Sequence, residues 1–206
     1  MTTKCTQNRS IFAVAVMLAV ELALPGSALA AEQKPEVQRL FQSGSYEQAV
    51  EAARDGDPAS TFIAAQSLMK LDRNDRAVAE LTRLRTSDNP AWRLIGESGE
   101  AMIGNDAGRA IDLARRAVEA DGGNPFAHYQ LGLAAAKAND WGAAVAGFTR
   151  AIEIKPDFAY AHYYAALGYQ RQRQLPKSAD HFDAFLRLAP DAPERGAVIA
   201  ILRTIK

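Results

Sequence analysis

The chain has little of what reactive or charge-driven proteins need. It holds one cysteine, Cys5, and three histidines among 206 residues. A lone cysteine forms no disulfide within the chain and supplies no cysteine cluster for zinc. The 24 basic and 24 acidic residues cancel, so the formal net charge at pH 7 is zero. Such a chain has no long-range attraction for nucleic acid or for an anionic membrane surface.

Sequence motifs of catalysis are missing as well. The chain has no H-E-x-x-H zinc helix, no G-x-S-x-G nucleophile elbow and no G-x-x-x-x-G-K-[ST] phosphate loop. We interpret His128 and His162 as packing residues, each with a ring nitrogen that is hydrogen-bonded. The sequence therefore predicts a protein that is not an enzyme and that uses no cofactor and no metal.

The first thirty residues follow the order of a secretory signal. A basic head at 4–9, an apolar stretch at 11–20 and a Pro-Gly break at 25–26 precede the small residues Ala28 and Ala30. This order predicts a signal peptide at 1–30 and a periplasmic or secreted protein without a membrane span after cleavage. The alternative is an uncleaved anchor, but the apolar run is short for a bilayer and a glutamate interrupts it.

Beyond this leader, the sequence repeats at a fixed interval of 34 residues. The residues related by that interval are Phe126 and Tyr160, His128 and His162, Tyr129 and Tyr163, Phe148 and Phe182, Pro156 and Pro190, and Asp157 and Asp191. Thirty-four residues is about the length of two short helices with their turns. The interval therefore predicts an array of helical hairpins.

The residues at this interval resemble the tetratricopeptide repeat. The clearest copy, at 125–158, contains Leu131-Gly132, then Asn139-Asp140-Trp141 at its turn, Phe148, and Pro156 at its end. The resemblance implies an all-α fold, an α-solenoid of about five helix-turn-helix repeats. The predicted array covers 31–192, with repeats at 31–57, 58–90, 91–124, 125–158 and 159–192.

The last segment, 193–206, is predicted to be a C-terminal capping helix. Pro193 opens it, and Val198, Leu202 and Ile205 share one apolar stripe with Ile201. A solenoid leaves the apolar face of its last repeat bare, and a terminal helix covers that face. The alternative is that the stripe is a surface for self-association.

In the family, the first helices of the repeats line a concave groove. Carried onto this sequence, the family's groove positions imply a partner-binding groove that includes Phe62, Met69, Trp92, Ile95, Met102, Phe126, Tyr129, Tyr160, Tyr163 and Arg171. Tryptophan, tyrosine and arginine are the residues most enriched in binding hot spots. The alternative is that these aromatic side chains pack within and between repeats.

Together these features predict an exported scaffold or adaptor that holds an extended protein segment in an aromatic-lined groove. We expect no chaperone-tail clamp, because the lysine and asparagine pairs that grip a carboxylate in some family members are replaced here, for example by Leu133 and Leu167. Two alternatives stay open. One is a carbohydrate-binding module of the cell envelope, since aromatic rings also stack on sugars. The other is a homo-oligomeric structural protein that associates through 193–206.

Overall fold

The computed structural model describes residues 36–205, and within this range the chain forms helices and no strand. In chain order the helices are α1 Glu36–Gln42, α2 Tyr46–Ala52, α3 Pro58–Lys70, α4 Asn74–Leu84, α5 Pro90–Ile103, α6 Ala107–Ala120, α7 Pro125–Lys137, α8 Trp141–Ile154, α9 Ala159–Arg171, α10 Leu175–Leu188 and α11 Arg195–Ile205. The predicted all-α class is confirmed. The signal peptide predicted at 1–30 lies outside the described residues.

The helices form five hairpins followed by one further helix. The odd-numbered helices α1 to α9 are the first helices of the hairpins, and the even-numbered helices are the second. The last helix, α11, packs against α10 and buries Val198 and Leu202. None of the described helices combines the length and the apolar character that a bilayer crossing requires.

Asparagine or aspartate followed by proline begins three of the first helices. The side chains of Asp57, Asn89 and Asn124 accept hydrogen bonds from backbone amides of the first turn at 2.7, 2.8 and 2.9 Å. A proline follows each of them, and its fixed φ suits the first helical position. Asp106 and Asp140 cap the second helices α6 and α8 in the same way, at 3.0 Å. Each cap stabilises its helix by about 1 kcal/mol.

The first helix of every hairpin ends in the same turn. One residue of each turn has a left-handed backbone, with φ of 77°, 56°, 62°, 62° and 61° at Gly44, Asp72, Asn105, Asn139 and Arg173. The next amide then donates back into the first helix, as Asp140 N does to Ala135 O at 2.9 Å. This hydrogen bond defines a Schellman-type helix end. Glycine, asparagine and aspartate adopt the left-handed backbone most readily, and Arg173 departs from that preference.

Small residues let the two helices of a hairpin cross closely. On α7, Gly132 lies against the ring of Phe148 from α8. Gly147 of α8 faces the α7 backbone, where an added Cβ would lie 2.8 Å from both Gly132 N and His128 O. Real Cβ atoms do not approach backbone atoms so closely, so only glycine fits at position 147.

Serine occupies the same crossing in two other hairpins. Ser98 Oγ on α5 donates to Ala110 O on α6 at 2.8 Å, and Ser178 Oγ on α10 donates to Ala166 O on α9 at 2.9 Å. Both serines are fully buried, so these bonds satisfy hydroxyl groups that would otherwise destabilise the core. The hydroxyl comes from the first helix in one hairpin and from the second helix in the other.

The histidines pack as the sequence suggests. His128 Nε2 lies 3.0 Å from Gly122 O, and His162 Nε2 lies 3.2 Å from Pro156 O, at the same position one repeat later. The interpretation of both as packing residues with a hydrogen-bonded ring nitrogen is confirmed. Within residues 36–205, no group of three or more His, Cys, Asp or Glu side chains is placed to hold a metal ion.

A second imidazole contacts His162 in the fifth hairpin. His162 Nδ1 lies 3.0 Å from His181 Nδ1, a distance that requires one ring nitrogen to donate and the other to accept. Burial lowers the pKa of His162, opposed by its hydrogen bond to Pro156 and assisted by the charge of Arg187. Burial also lowers the pKa of His181, and the charge of His162 lowers it further while Asp180 opposes it. The folded state therefore favours two neutral rings.

Gly147→Ala should destabilise the protein by roughly 1–3 kcal/mol, the usual cost of forcing an extra methyl into a packed core. Gly142→Ala on the same helix is the matched control, because the nearest atom to its added Cβ lies at an ordinary 3.5 Å. This control should be neutral or stabilising by about 0.5–1 kcal/mol, since alanine favours helix. Urea unfolding followed by circular dichroism measures both changes. Equal stabilities for the two variants would contradict the close crossing of α7 and α8.

The histidine pair should make stability fall in mild acid. Because both folded-state pKa values lie below the unfolded value near 6.5, the unfolded chain binds protons first as the pH drops. The free energy of unfolding should therefore be fully retained above about pH 6.5 and should decrease as the pH falls toward the lowered values. His181→Gln removes one of these titrating groups, and we expect a shallower pH dependence from urea unfolding between pH 7.5 and 5.

The control for the pH experiment is His128→Gln, which replaces a histidine that lies outside the pair, 34 residues before His162, and whose ring is hydrogen-bonded to Gly122 O. The flattening expected from the lowered pKa values of the pair belongs to His181→Gln. If the stability of that variant follows the same pH curve as the parent protein, the pair is not the source of the acid sensitivity.

Candidate partner-binding face

Aromatic rings from distant repeats touch on the inner side of the array. The ring of Phe41 on α1 lies 4.7 Å from that of Tyr160 on α9, measured between centroids. The ring of Phe62 on α3 lies 6.2 Å from that of Tyr129 on α7. Contacts between the first and the fifth hairpins require a tight curl. We call the side on which the odd-numbered helices converge the inner face.

Because of this curl, half of the predicted groove residues are buried. Five of the ten are buried, with exposed fractions of 1% for Phe62, 0% for Ile95, 9% for Met102, 2% for Tyr129 and 1% for Tyr160. In this structure these five do not line an open groove, and rings from other repeats lie against Phe62, Tyr129 and Tyr160. The alternative interpretation, in which the side chains pack within and between repeats, describes these five. The binding role assigned to the ten residues stays a prediction.

The other five predicted residues differ in their surroundings. Met69, Trp92, Phe126 and Tyr163 are half-buried, and Arg171 is exposed. Tyr163 packs in edge contact with Tyr160 at 6.0 Å. The Arg171 guanidinium lies 5.4 Å from the Trp141 ring of the preceding repeat, in a cation–π geometry. Arg171 ends α9, so it lies far from the residues at the start of that helix.

Three half-buried rings form a continuous strip along the starts of successive first helices. The centroids of Trp92 and Phe126 are 5.2 Å apart, and those of Phe126 and Phe158 are also 5.2 Å apart. Trp92 and Phe126 lie in the first turns of α5 and α7, which the caps at Asn89 and Asn124 hold in place. We call these three residues the aromatic strip.

The aromatic strip is the accessible margin of the inner face. Phe126 lies 5.7 Å from the buried ring of Phe62, and Phe158 lies 4.6 Å from that of Tyr129. Phe158 was not among the predicted groove residues. It stands 34 residues after Asn124, where the preceding repeat has a helix cap, so the interval alone gave no reason to select an aromatic there.

A polar cluster lies on the inner face beside the Tyr160 ring. Lys70 Nζ is 2.7 Å from Glu194 Oε1, and the Tyr160 hydroxyl donates to Glu194 Oε2 at 2.8 Å. Burial acts to lower the pKa of Lys70, but Tyr164 and Glu194 outweigh it and raise that pKa. Burial acts to raise the pKa of Glu194, but the hydrogen bond and charge of Lys70 hold it below its usual value. Burial, then the charge of Glu194, raises the pKa of Tyr160, so this hydroxyl stays protonated and donates.

Comparison with solved structures places this fold among helical repeat proteins. TTC0263, a thermophilic TPR protein of Thermus thermophilus, superposes with a TM-score of 0.61 at 17% identity, over 81% of this chain and 95% of that chain. The TPR2AB domain of yeast Sti1, in a complex with pHSP90, gives 0.53 at 14% identity, over 86% and 88%. The second TPR domain of human RPAP3, in complex with the HSP70 peptide SGPTIEEVD, gives 0.52 at 20% identity, over 56% and 94%. At these identities the likeness shows the fold alone.

Sequence comparison gives the family. No curated protein matches the chain significantly. The tetratricopeptide-repeat profile matches residues 64–125 and 129–193, which is more than half of the chain. These ranges contain the close crossing of α7 and α8 and the left-handed turns from Asp72 to Arg173. The chain belongs to the tetratricopeptide-repeat family.

Proposed function

We propose that this protein is an exported scaffold that binds an extended segment of a partner protein through the aromatic strip and the inner face behind it. The observation that carries the proposal is the strip itself. Trp92, Phe126 and Phe158 lie at the starts of the three successive first helices α5, α7 and α9, stay half-buried, and have neighbouring rings 5.2 Å apart. Clustered aromatic side chains around a partly desolvated centre are typical of interface hot spots.

The dimensions of the strip suit an extended chain. Side chains on one side of an extended segment recur about every 6.6–6.8 Å, twice the rise per residue. Neighbouring rings of the strip are 5.2 Å apart, so two or three alternate apolar side chains of a partner match its length. The rigid first turns of α5 and α7 hold two of the rings, which limits the entropy lost on binding.

The comparisons support a peptide ligand by analogy. The Sti1 domain and the RPAP3 domain are described in complexes with pHSP90 and with an HSP70 peptide. Fold likeness does not transfer a particular partner, and Leu133 and Leu167 stand in one of the rows where a carboxylate clamp needs polar side chains. We infer an apolar segment as the ligand. We also infer a binding role without catalysis, in keeping with the absence of catalytic motifs from the sequence.

Affinity capture from the cell envelope should identify the partner. The parent protein should retain a distinct protein that a Trp92→Ala/Phe126→Ala variant retains at least about tenfold less, because truncating one hot-spot aromatic commonly costs about 2 kcal/mol or more. Quantitative mass spectrometry measures retention, and circular dichroism checks that the helices are intact. The control is Leu175→Ala, since Leu175 is a large apolar residue, 38% exposed, outside the strip.

Other capture outcomes would count against the proposal. Equal retention by the parent and the double-alanine variant would show that the strip is only a packing feature. Retention of isolated envelope polysaccharide, lost in the same variant and without any protein partner, would favour the carbohydrate-binding alternative.

The proposed export of the protein leads to a separate prediction. In fractionated cells that carry the full chain, the protein should appear outside the cytoplasm with an N-terminus at or near Ala31, because the order of residues at 1–30 is that of a cleaved signal. Intact-mass measurement of the protein from each fraction determines this. Full-length protein in the cytoplasm, still carrying Cys5, would overturn the exported part of the proposal.

A further inference from the structure

The segment between the last two helices reaches back to the first two repeats. We call residues 189–194 the return segment. Its Pro193 lies against the α1–α2 turn, where a Cβ added to Gly44 would be 2.5 Å from Pro193 Cγ. Its Glu194 pairs with Lys70 at the end of α3, a partner 124 residues away in sequence. The return segment therefore joins the two ends of the array.

Contacts of this kind are not needed to build a repeat array. In a solenoid each repeat packs on its neighbours, and stability comes from the repeats and the interfaces between adjacent ones. The pairing of Lys70 with Glu194 joins the second repeat to the segment that follows the fifth. It is thus an additional interaction, and it closes the inner face.

The pairing is more sheltered from solvent than the exposed ion pairs of the surface. The side chains of Lys70 and Glu194 are 28% and 15% exposed, whereas those of the pair Arg54 and Glu51 are 70% and 65% exposed. Glu194 also receives the Tyr160 hydroxyl, and Lys70 lies 5.3 Å from the centre of the Tyr160 ring. A carboxylate with two donors, one of them charged, is held more strongly than a pair of exposed ions.

The first hairpin is the part of the array that such a contact would stabilise most. Helices α1 and α2 have seven residues each, a length at which an isolated helix is not stable in water. Phe41 covers Tyr160 from this hairpin, at 4.7 Å. If the hairpin separates from the return segment, Tyr160 loses that cover.

We propose that Lys70, Tyr160 and Glu194 form a clasp that holds the return segment against the first two repeats and keeps the inner face closed. Release of the clasp frees the first hairpin and uncovers Phe41 and Tyr160, which extends the binding face beyond the aromatic strip. The clasp regulates the face assigned above and so rests on the proposed function. Local opening of a weakly held terminal unit is a common route to such a change.

Charge reversal tests the clasp without knowledge of the partner. In Lys70→Glu two carboxylates face each other, and backbone amides of residues 36–52 should exchange with deuterium about tenfold faster or more, as measured by mass spectrometry. The swap Lys70→Glu/Glu194→Lys restores opposite charges and should return exchange to the parent rate. Arg150→Glu is the control, since it breaks the exposed pair of Arg150 with Glu153 on α8 and should leave residues 36–52 unchanged.

Several results would overturn the clasp. Parent-like exchange of residues 36–52 in Lys70→Glu is one. Failure of the charge swap to restore slow exchange is another, because attraction between the two groups is the proposed cause. Acceleration spread equally over α7 and α8 is a third, because it would indicate global destabilisation in place of local opening.

A disulfide across the same junction tests the link to binding. An ideal Cβ at Gly44 lies 3.9 Å from Pro193 Cβ, within the range of about 3.5–4.5 Å found in disulfides. In a Cys5→Ser background, Gly44→Cys/Pro193→Cys should form this bond on oxidation. The left-handed backbone at Gly44 disfavours a side chain, so the reduced form of the same protein is the reference.

The oxidised form should retain the captured partner at least about tenfold less than the reduced form, and Lys70→Glu should retain more than the parent. Faster exchange in Lys70→Glu without any change in capture would leave the clasp standing and would count against the scaffold proposal. Unchanged exchange would overturn the clasp, whatever proteins the strip retains.

Discussion

The close crossing of the two helices in the third, fourth and fifth hairpins is the constraint on which the rest of the structure depends. Where Gly132 and Gly147 meet, the helices touch through backbone atoms, and the ring of Phe148 fills the space beside them. Ser98 and Ser178 take the same crossing in other hairpins, with the hydroxyl bonded across to the partner helix. A small side chain is required at each crossing, but its chemistry is free to vary as long as any polar atom is satisfied. Because the hairpins are so compact, they stack closely, and the first helices crowd on the inner side of the curl.

The sequence predicts what each repeat contains, because the relevant contacts are local. Helix caps, left-handed turns and small crossing residues all lie within one 34-residue unit, so the interval marks them directly. Asn105 and Asn139 stand 34 residues apart and adopt the same backbone, with φ of 62° at both. The capping interpretation of 193–206 rests on the same kind of reasoning, and α11 does bury Val198 and Leu202.

The sequence does not predict how far the array curls. That curl is the sum of small rotations between repeats, and no single residue encodes it. The contacts of Phe41 with Tyr160 and of Lys70 with Glu194 exist only because these rotations add up over three or more repeats. The family's groove positions therefore fall on the first helices, but half of the predicted residues lie in the core. Phe158 was not predicted for a different reason. It occupies a helix-cap position, where the preceding repeat has Asn124, and an aromatic residue there breaks the pattern of the repeat.

Under the proposed function, the buried inner face presents a competition between folding and binding. Burying one large aromatic side chain stabilises a protein by about 1.5–3 kcal/mol. The rings that cover Tyr160 and Phe62 therefore stabilise the closed array. They occupy the positions that the side chains of a partner would take in the proposed complex. A partner that binds only the open form binds more weakly in proportion to the fraction that is open, about a hundredfold if that fraction is about 1%. The first hairpin has two helices of seven residues, so under the proposal a short unit has to separate before Tyr160 loses the cover of Phe41. A longer, more regular first repeat would stabilise the closed inner face. Binding to the open form would then weaken by the free energy that the closed form had gained.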